Sequence, residues 1–365
     1  MKVGTITFHG SHNYGSMLQA YALQKYIHEL LKDHDEPCEN LIINYRSEVQ
    51  KRIYKAPKPT DLKNLLKWLL YLPYRKQLKI QEEKFEAFIT DHLSVTEEFS
   101  SETRLPEIAS AFDLLIAGSD QIWNVRARDF DFTYLLPGCS SKKISYAVSL
   151  GPLSIDWKQY NTAKLVNLLK SFSTISVREK KSLEMLQEIF SDNQAELMPD
   201  PVFLLPAEKW RKIQSDMYPG KYIFFYCLEP TPEHIRIAKM FSRTLNLPVV
   251  STAYRNKYDY FNPFIKQYDA GPCDFLSLVD HASLVLTSSF HGTAFSIIYN
   301  KPFYVMNGME DGRIRDVIYK FHAEKNSISS GLKKAAMPPP IRNPIPVIEK
   351  ERICAKAFLK NAFII

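Results

Sequence analysis

The pentad 288–292, with the sequence SSFHG, places a histidine among small polar residues between an apolar run at 282–286 and an amphipathic stretch at 293–299. This order predicts a strand, a short turn and a helix that begins near the histidine. Backbone N–H groups at a helix start favour anions, and an imidazole exchanges protons near neutral pH. The pentad therefore predicts an anion site with a proton donor, although a lone histidine is more often structural. The candidate residues are Ser288, Ser289, His291 and Gly292.

A second group of polar residues follows a near-continuous apolar run at 113–118, which is typical of a parallel strand buried on both faces. Side chains at the carboxyl end of such a strand usually face a ligand. Asp120 would accept a proton from a hydroxyl group or orient a sugar hydroxyl. Ser119 and Gln121 flank it as further candidates. The alternative is that Asp120 caps the next helix.

The loop 10–16 lies between the first predicted strand and a strong helix former. It contains the candidate residues Asn13, Tyr14 and Gly15 and ends at Ser16. Gly15 can take a positive φ, and Asn13 and Ser16 can cap the helix. Contact with a substrate and an ordinary capped turn both fit this pattern.

Arg178 follows a short apolar run at 174–177 and precedes a helical pattern. An arginine at a strand end pairs bidentately with a carboxylate or a phosphate, which predicts an anion-binding residue. A structural salt bridge to Glu179 or Asp200 is the alternative.

Apolar runs alternate with helical patterns along the chain, which predicts an α/β fold with parallel sheets. The alternation restarts after 200–206, where proline stands on both sides of a short apolar run. We therefore predict two Rossmann-like domains facing across a cleft, at 1–200 and 201–344, with a last helix in 345–365 packing back on the first domain. The predicted strands lie at 1–8, 41–45, 113–118, 143–149, 174–177, 222–227, 248–251, 284–287 and 302–306.

Length and composition restrict the class of protein. A chain of 365 residues with 45% hydrophobic and 24% charged residues fits a soluble globular protein of two domains. No apolar run reaches the roughly 18 residues that a bilayer span needs, and the alternating N-terminus is unlike a signal peptide. Five scattered cysteines without CxxC spacing predict reduced thiols and a cytoplasmic protein. His9 and His12 have no ligand partner at metal-binding spacing, so we predict no metal site.

The net charge of +7 is concentrated in one segment. Residues 51–79 contain nine basic residues and one acid, a net +8, which leaves −1 for the rest of the chain. Within this segment, 62–72 has apolar positions near helical spacing with lysines between them. Such a helix lies on an anionic membrane surface, or it covers its own domain with the lysines in water. No nucleic-acid motif accompanies the charge, so we expect no nucleic acid as a partner.

In these motifs the chain resembles the polysaccharide pyruvyl transferase family. The specific parts are 118–124 (GSDQIWN) and 288–295 (SSFHGTAF), and further matches lie at 13–24, 176–179 and 200–202. The resemblance spans nearly the whole chain. It implies a GT-B-like fold and the transfer of pyruvate from phosphoenolpyruvate onto a sugar of a cell-surface polysaccharide or its precursor, as a ketal.

The resemblance also implies roles for single residues. His291 would protonate the methylene carbon of phosphoenolpyruvate, Arg178 would grip an anionic group, and Asp120 would hold or deprotonate a sugar hydroxyl. Phosphoenolpyruvate is itself the donor substrate, so no cofactor is expected. Relatives with a Ser-x-Arg-x-His arrangement have arginine where this chain has Ser289. Arg313 is the candidate substitute, and a solvated residue at a helix start is the alternative.

Two other functions remain open at the level of sequence. A GT-B-type glycosyltransferase would use a nucleotide-sugar, but no acidic pair suited to its ribose is visible. The second alternative is a catalytically weak relative that binds sugar or assembles with other polysaccharide enzymes, and the serine at position 289 permits it. The basic segment 51–79 makes a lipid-linked acceptor at the inner membrane face a hypothesis.

Overall fold

The computed structural model describes residues 1–32, 37–54, 65, 69, 72–154, 162–190, 195–216, 220–252, 262–306, 309–328 and 331–364. The chain divides into two compact units. Unit 1 comprises Met1–Tyr54, Ile89–Leu205 and Ile348–Ile365, and unit 2 comprises Lys55–Phe88 and Pro206–Val347.

The regular elements of the described residues are numbered in chain order. The strands are β1 (Lys2–Ile6), β2 (Glu39–Ile42), β3 (Leu114–Ala117), β4 (Lys142–Ser145), β5 (Ile175–Val177), β6 (Ala195–Leu197), β7 (Ile223–Tyr226), β8 (Val249–Ser251), β9 (Ile265–Lys266), β10 (Leu284–Thr287), β11 (Phe303–Met306) and β12 (Ser327–Ile328). The α-helices are α1 (Tyr14–Leu31), α2 (Glu48–Tyr54), α3 (Arg75–His92), α4 (Leu105–Ala109), α5 (Thr162–Leu169), α6 (Lys180–Gln187), α7 (Ala207–Arg211), α8 (Pro232–Leu245), α9 (Pro272–Asp280), α10 (Phe290–Ile298), α11 (Gly312–Lys320) and α12 (Ile345–Ala362). Short 3₁₀ segments lie at Leu72–Tyr74, Glu102–Arg104, Phe132–Leu135, Pro201–Leu204 and Glu324–Asn326.

Unit 1 is built on a parallel sheet with the strand order β2-β1-β3-β4. Val3 pairs with Asn40 on one side and with Leu114 on the other, so β1 is an interior strand. Every residue of β3 is buried, which explains why its sequence shows no apolar–polar alternation. β5 pairs with β6, and the bridge from Val148 to Val177 joins β5 to the segment that follows β4. The predicted parallel α/β architecture is thus present in this unit.

The two terminal parts of the chain share the core of unit 1. Leu23 and Ile27 of α1 pack in one apolar cluster with residues of β1 and β3. Phe358 and Leu359 of α12 belong to the same cluster. The last helix therefore covers the same face of the sheet as the first helix.

Unit 2 is built on a second parallel sheet, with the order β12-β11-β10-β7-β8-β9. The central strands β7 and β10 are buried at every residue, and they pair in parallel through Leu284 and Ile223. Phe241 of α8 packs in a cluster with Phe225 and Leu286 of these strands. The second half of the chain therefore repeats the α/β architecture of the first.

The segment 55–88 belongs to unit 2, whereas the sequence-based division placed it with the first domain. The physical reason lies in α3, whose Lys84 Nζ donates a 2.6 Å hydrogen bond to Asp274 Oδ2 of α9. Gln81 Nε2 also donates to the Ala270 carbonyl at 3.2 Å. These contacts join residues almost two hundred positions apart, so local sequence patterns do not reveal them.

All strand pairs within each sheet are parallel, so the carboxyl ends of the strands lie together at one edge of that sheet. In unit 1 this edge carries the candidate residues that follow β1, β3 and β5. In unit 2 it carries those that follow β10 and β11.

Candidate functional site

The carboxylate of Asp120 lies at the carboxyl end of β3 and is bound from two sides. Its Oδ2 accepts a short hydrogen bond from Ser16 Oγ of α1, and its Oδ1 lies 3.7 Å from a terminal nitrogen of Arg178. The backbone of Asp120 has a φ of +74°, in the left-handed region that aspartate tolerates better than most residues. The next helical segment after Asp120 is Phe132–Leu135, which Asp131 caps. The N-cap alternative for Asp120 is therefore wrong.

Arg178 lies at the centre of a group of buried carboxylates, which we call the acidic cluster: Asp120, Glu179 and Asp200. The guanidinium is 2.5 Å from Asp200, 3.6 Å from Glu179 and 3.7 Å from Asp120. Its side chain is 2% exposed. Three carboxylates around one guanidinium leave a formal charge of −2, which repels a further anion. The structure thus favours the salt-bridge alternative for Arg178 over the expected grip on a substrate anion.

The protonation of Arg178 follows from these neighbours. Burial by itself would lower the pKa of the guanidinium, but the carboxylates of Asp200, Glu179 and Asp120 raise the pKa above its ordinary value. Arg178 is therefore a permanent cation that neutralises part of the acidic cluster. Asp200 is itself fixed, because its Oδ1 accepts a 3.0 Å hydrogen bond from the Val202 backbone N–H.

A network of neutral side chains holds the loop of Asp120 against α1. The Ser119 backbone N–H donates to Gln19 Oε1 at 3.1 Å, and Thr7 Oγ1 donates to the Ser119 carbonyl at 3.0 Å. The Ser119 hydroxyl donates to the Ala147 carbonyl at 2.6 Å, and Ser119 is completely buried. Ser119 therefore supports the loop, which differs from its expected contact with substrate.

The turn before α1 has the geometry of a helix cap. Asn13 Oδ1 accepts hydrogen bonds from the backbone N–H of Gly15 at 3.0 Å and of Ser16 at 3.4 Å. Tyr14 and Gly15 are the first two residues of the helix and are buried. Asn13 is therefore the cap, and the hydroxyl of Ser16 is directed to Asp120 instead of the helix end.

Gln121 lies beside the acidic cluster in sequence but forms its hydrogen bond elsewhere. Its Oε1 accepts from Asn124 Nδ2 at 2.9 Å, which closes the turn 121–124. The neighbouring Trp123 is buried and donates from Nε1 to the Tyr134 carbonyl at 3.1 Å. The tryptophan of the GSDQIWN motif therefore anchors the loop in the core.

In unit 2, β10 is followed by a two-residue turn and α10, as the sequence predicts. Ser289 is the N-cap, and its Oγ accepts from the Gly292 backbone N–H at 3.5 Å. His291 is the second residue of α10, with 7% of its surface exposed, and its ring meets Phe290 edge to face with centroids 5.1 Å apart. Ser288 is half-buried, and its backbone N–H donates to the Tyr226 carbonyl of β7 at 3.3 Å. The imidazole thus stands at a helix start, where the backbone favours negative charge.

Gly292 allows α10 to approach β10 closely. A Cβ atom added at this position would lie 2.3 Å from Thr287 Oγ1 and 3.1 Å from the ring of Tyr226. Thr287 Oγ1 donates to the Tyr226 carbonyl at 2.8 Å and accepts from the Ser289 N–H at 3.0 Å. The glycine is therefore needed for packing of the helix start, which was not apparent from the sequence alone.

Arg313 lies near the start of α11, which follows β11 and contacts α10. Its Nε and one terminal nitrogen bond both oxygens of Asp311, at 3.0 and 2.6 Å. Asp311 also caps α11 by accepting from the Arg313 backbone N–H at 3.0 Å. Arg313 is thus ion-paired at the helix start and is not simply solvated. The structure brings it to the same sheet edge as His291.

The candidate residues therefore form one cluster in each unit. Unit 1 brings Asp120 and Arg178 together and adds three residues that the sequence had not marked as site residues: Ser16, Glu179 and Asp200. Glu179 and Asp200 appeared only as possible partners of Arg178, and Ser16 only as a cap. Unit 2 brings His291 together with Ser288, Ser289 and Gly292.

A cavity of about 310 Å³ opens at the other edge of the unit 1 sheet, at the amino ends of β1 and β2. It contains none of the candidate residues, and ion pairs such as Lys2 with Glu39 line it. In the part of the chain that the structure describes, no group of histidine, cysteine, aspartate and glutamate side chains has the arrangement of a metal site. Among the same residues, no helix is long and apolar enough to cross a membrane.

Solved structures identify the class of fold. The chain is similar to the UDP-GlcNAc 2-epimerase from Methanocaldococcus jannaschii, with a TM-score of 0.52, 10% identity and coverage of 97% of this chain and 99% of that chain. It is also similar to S. aureus MnaA in a co-structure with UDP, with a TM-score of 0.51, 12% identity and coverage of 99% and 89%. A third similar structure is the Neisseria meningitidis UDP-GlcNAc 2-epimerase bound to UDP-GlcNAc, with a TM-score of 0.50, 12% identity and coverage of 99% of this chain and 100% of that chain. These likenesses establish the GT-B-like α/β fold.

The family follows from the sequence. The model of the polysaccharide pyruvyl transferase family matches residues 13–308, a range that includes the acidic cluster and the start of α10. The chain belongs to the polysaccharide pyruvyl transferase family. A comparison with curated protein sequences finds no match.

Proposed function

We propose that this protein transfers the pyruvate group of phosphoenolpyruvate onto two hydroxyls of a sugar, in a cell-surface polysaccharide or its precursor, and releases inorganic phosphate. The observation that carries the proposal is His291 at the start of α10, within a family match that also spans the acidic cluster. The two clusters differ in charge, which suits two different substrates. We assign the donor to unit 2 and the acceptor sugar to unit 1.

Unit 2 has the properties that a doubly anionic donor requires. Phosphoenolpyruvate carries a phosphate and a carboxylate, and a helix start supplies N–H groups and a positive dipole end. Ser288, Ser289 and Gly292 lie at this start, and the hydroxyl groups of the two serines would donate to the phosphate. The neutral Ser289 stands where some relatives have arginine. Arg313 would compensate for this by directing its second terminal nitrogen, which does not bond Asp311, to the anion.

The proposed reaction begins with a proton transfer. His291, as imidazolium, donates a proton to the methylene carbon of phosphoenolpyruvate, and positive charge develops on the neighbouring carbon. A first sugar hydroxyl adds to this carbon and loses its proton. A second hydroxyl of the same sugar then attacks this carbon and closes the ketal, while phosphate leaves with the electron pair of its C–O bond and takes up the proton of this hydroxyl. Removal of a positioned general acid usually lowers the rate by about 10²- to 10⁴-fold.

Unit 1 has the properties that a sugar hydroxyl requires. Asp120 would accept the hydroxyl proton or a hydrogen bond from the sugar, with Ser16 and Arg178 holding its two oxygens. Arg178 then acts as a positioning residue for Asp120, and we no longer assign it the contact with an anionic group that the sequence predicts. The negative charge of the acidic cluster also disfavours the phosphate-bearing donor at this place.

Thermal unfolding with ligands tests the assignment of the donor. Phosphoenolpyruvate should raise the Tm by mass action, while UDP-GlcNAc at the same concentration should leave it unchanged. A rise with the nucleotide-sugar alone would overturn the proposal in favour of a glycosyltransferase. Phosphate release with phosphoenolpyruvate and a panel of saccharides then tests turnover. Donor binding without phosphate release for any saccharide would point to the sugar-binding relative without catalysis.

The variant His291→Ala tests the proton donor. We expect phosphate release to fall about 10²- to 10⁴-fold while the Tm stays near the wild-type value. His291→Gln keeps a hydrogen-bonding side chain but cannot act as an acid, so it should be equally slow. Turnover near the wild-type rate in either variant would remove His291 from the mechanism.

A further inference from the structure

Four large aliphatic side chains of unit 2 are exposed within one short stretch. Leu65 is 38% exposed, Leu69 47%, Leu72 39% and Ile80 41%. Single exposed leucines are ordinary on protein surfaces, but several in one stretch indicate an interaction site. The sequence left open whether the apolar face of 62–72 covers its own domain, and the described residues Leu65, Leu69 and Leu72 are each partly exposed.

The spacing of two of these residues places them on one side of a helix. Leu65 and Leu69 are helical and four positions apart, and residues at i and i+4 share one helix face. Leu72 is exposed at the start of a 3₁₀ segment, and Ile80 is exposed in α3. Exposed aliphatic side chains therefore recur among the described residues of 65–80.

Basic side chains lie close in sequence to these exposed aliphatic residues. Three exposed basic residues, Arg75, Lys76 and Lys79, lie at the start of α3. Lys79 Nζ lies 3.7 Å from Glu83 Oε1, and because both side chains are exposed this ion pair is weak. The surrounding sequence 51–79 carries a net +8. Most of the predicted amphipathic segment 62–72 lies outside the described residues, so the inference rests on the exposed side chains named here.

We propose that this surface docks unit 2 onto an anionic lipid bilayer. We call it the 65–80 surface, defined by Leu65, Leu69, Leu72 and Ile80 with Arg75, Lys76 and Lys79. Aliphatic side chains enter the boundary between head groups and acyl chains, and neighbouring cations are attracted by anionic lipids. The four exposed apolar side chains named here are aliphatic, and aliphatic side chains suit the lipid boundary better than base stacking. The docking concerns a different part of unit 2 from His291 and does not depend on the proposed reaction.

Vesicle sedimentation of the full chain tests the docking. Vesicles of phosphatidylcholine mixed with phosphatidylglycerol should pellet the protein, and phosphatidylcholine alone should not. The double variant Leu65→Ser/Leu69→Ser should reduce binding at least about tenfold, since apolar burial contributes to interfacial affinity. Lys76→Glu/Lys79→Glu should have a similar effect, and high salt should weaken wild-type binding because it screens exposed charges.

Matched controls use exposed residues of α12, in unit 1. Ile353→Ser changes an isoleucine that is 69% exposed, and Lys350→Glu/Lys356→Glu changes the net charge by the same amount as the test variant. Both controls should bind vesicles as the wild type does. Loss of binding in the controls, equal binding to neutral vesicles, or no pelleting at all would each overturn the proposal. So would tighter binding to single-stranded RNA than to anionic vesicles. Thermal unfolding of each variant shows whether it has folded.

Discussion

The two clusters of candidate residues use opposite means to hold polar groups in place. In unit 1, one buried guanidinium holds three buried carboxylates, and Asp120 is fixed between Arg178 and the hydroxyl of Ser16. In unit 2, the start of α10 is held by neutral side chains, with Ser289 as the cap and Gly292 packed against Thr287. Charge organises the first cluster, and close packing of a helix against a strand organises the second.

This difference determines how each cluster should respond to mutation. Removal of one partner from a buried ion network strongly lowers the free energy of unfolding, because the remaining buried charges are no longer compensated. At a closely packed helix start, the loss of stability depends on how much added volume the site must accommodate. The following predictions test the contrast.

The largest loss of stability should follow Arg178→Met. Three buried carboxylates would remain without their cation, which typically costs about 3–5 kcal/mol in the free energy of unfolding. Urea denaturation measures it. Arg313→Met in unit 2 is the matched control: that side chain is 16% exposed, against 2% for Arg178, and pairs with one carboxylate, so its loss should cost less than that of Arg178.

Two further measurements distinguish a charge effect from a packing effect at Arg178. Adding Asp200→Asn to Arg178→Met should recover part of the stability, because one uncompensated carboxylate is removed. Buried carboxylates without a cation have raised pKa values, so the folded variant binds protons that the unfolded chain has lost. The deficit should therefore grow as the pH rises. A deficit that is the same at all pH values and unaffected by Asp200→Asn would indicate packing instead.

A smaller loss should follow Ser16→Ala. This change removes a hydrogen bond to a buried carboxylate, which costs about 1.5–3 kcal/mol, whereas a hydrogen bond between neutral groups is worth about 0.5–1.5 kcal/mol. Ser296→Ala in α10 is the neutral comparison, since its hydroxyl donates to the Gly292 carbonyl at 2.7 Å. Both serines are helical, so the gain in helix propensity on replacement by alanine is similar in the two variants and cancels when they are compared. Equal effects of the two variants would contradict the assigned difference between the clusters.

Gly292→Ala should destabilise unit 2 by about 1–3 kcal/mol, because the added methyl group overlaps Thr287 Oγ1 and forces the helix start away from β10. Chemical denaturation measures the change. Thr287→Ala combined with Gly292→Ala should be less destabilising than the sum of the two single variants, since the first change removes the overlapping oxygen. Strict additivity would mean that the clash does not determine the effect.

The smallest effect on stability, with a clear effect on ligand binding, should come from Ser289→Asp. Aspartate is as good an N-cap as serine, so the Tm without ligand should change little. The new negative charge would lie where we place the phosphate, so the Tm increase with phosphoenolpyruvate should disappear. Ser101→Asp, at a 3₁₀ cap in unit 1, adds the same charge and should leave that increase intact. An unchanged increase in Ser289→Asp would move the donor away from α10.

Much of the fold was predictable because its signals are local. The run at 113–118 predicts an interior parallel strand, and β3 is buried at every residue. The pentad 288–292 predicts a strand, a turn and a helix start, which β10 and α10 confirm. The short strands β6, β9 and β12 were missed, since two or three residues carry too little periodicity to be recognised.

The sequence by itself determined the family, the α/β alternation and the residues at the strand ends, because each of these depends on the order of neighbouring residues. Only the tertiary structure decided which groups those residues meet. Arg178 pairs with three carboxylates, and Ser16 reaches Asp120 across 104 positions of sequence. The association of 55–88 with α9 has the same origin. Electrostatic partners are set by distances in space, and parallel sheets bring together residues that are remote along the chain.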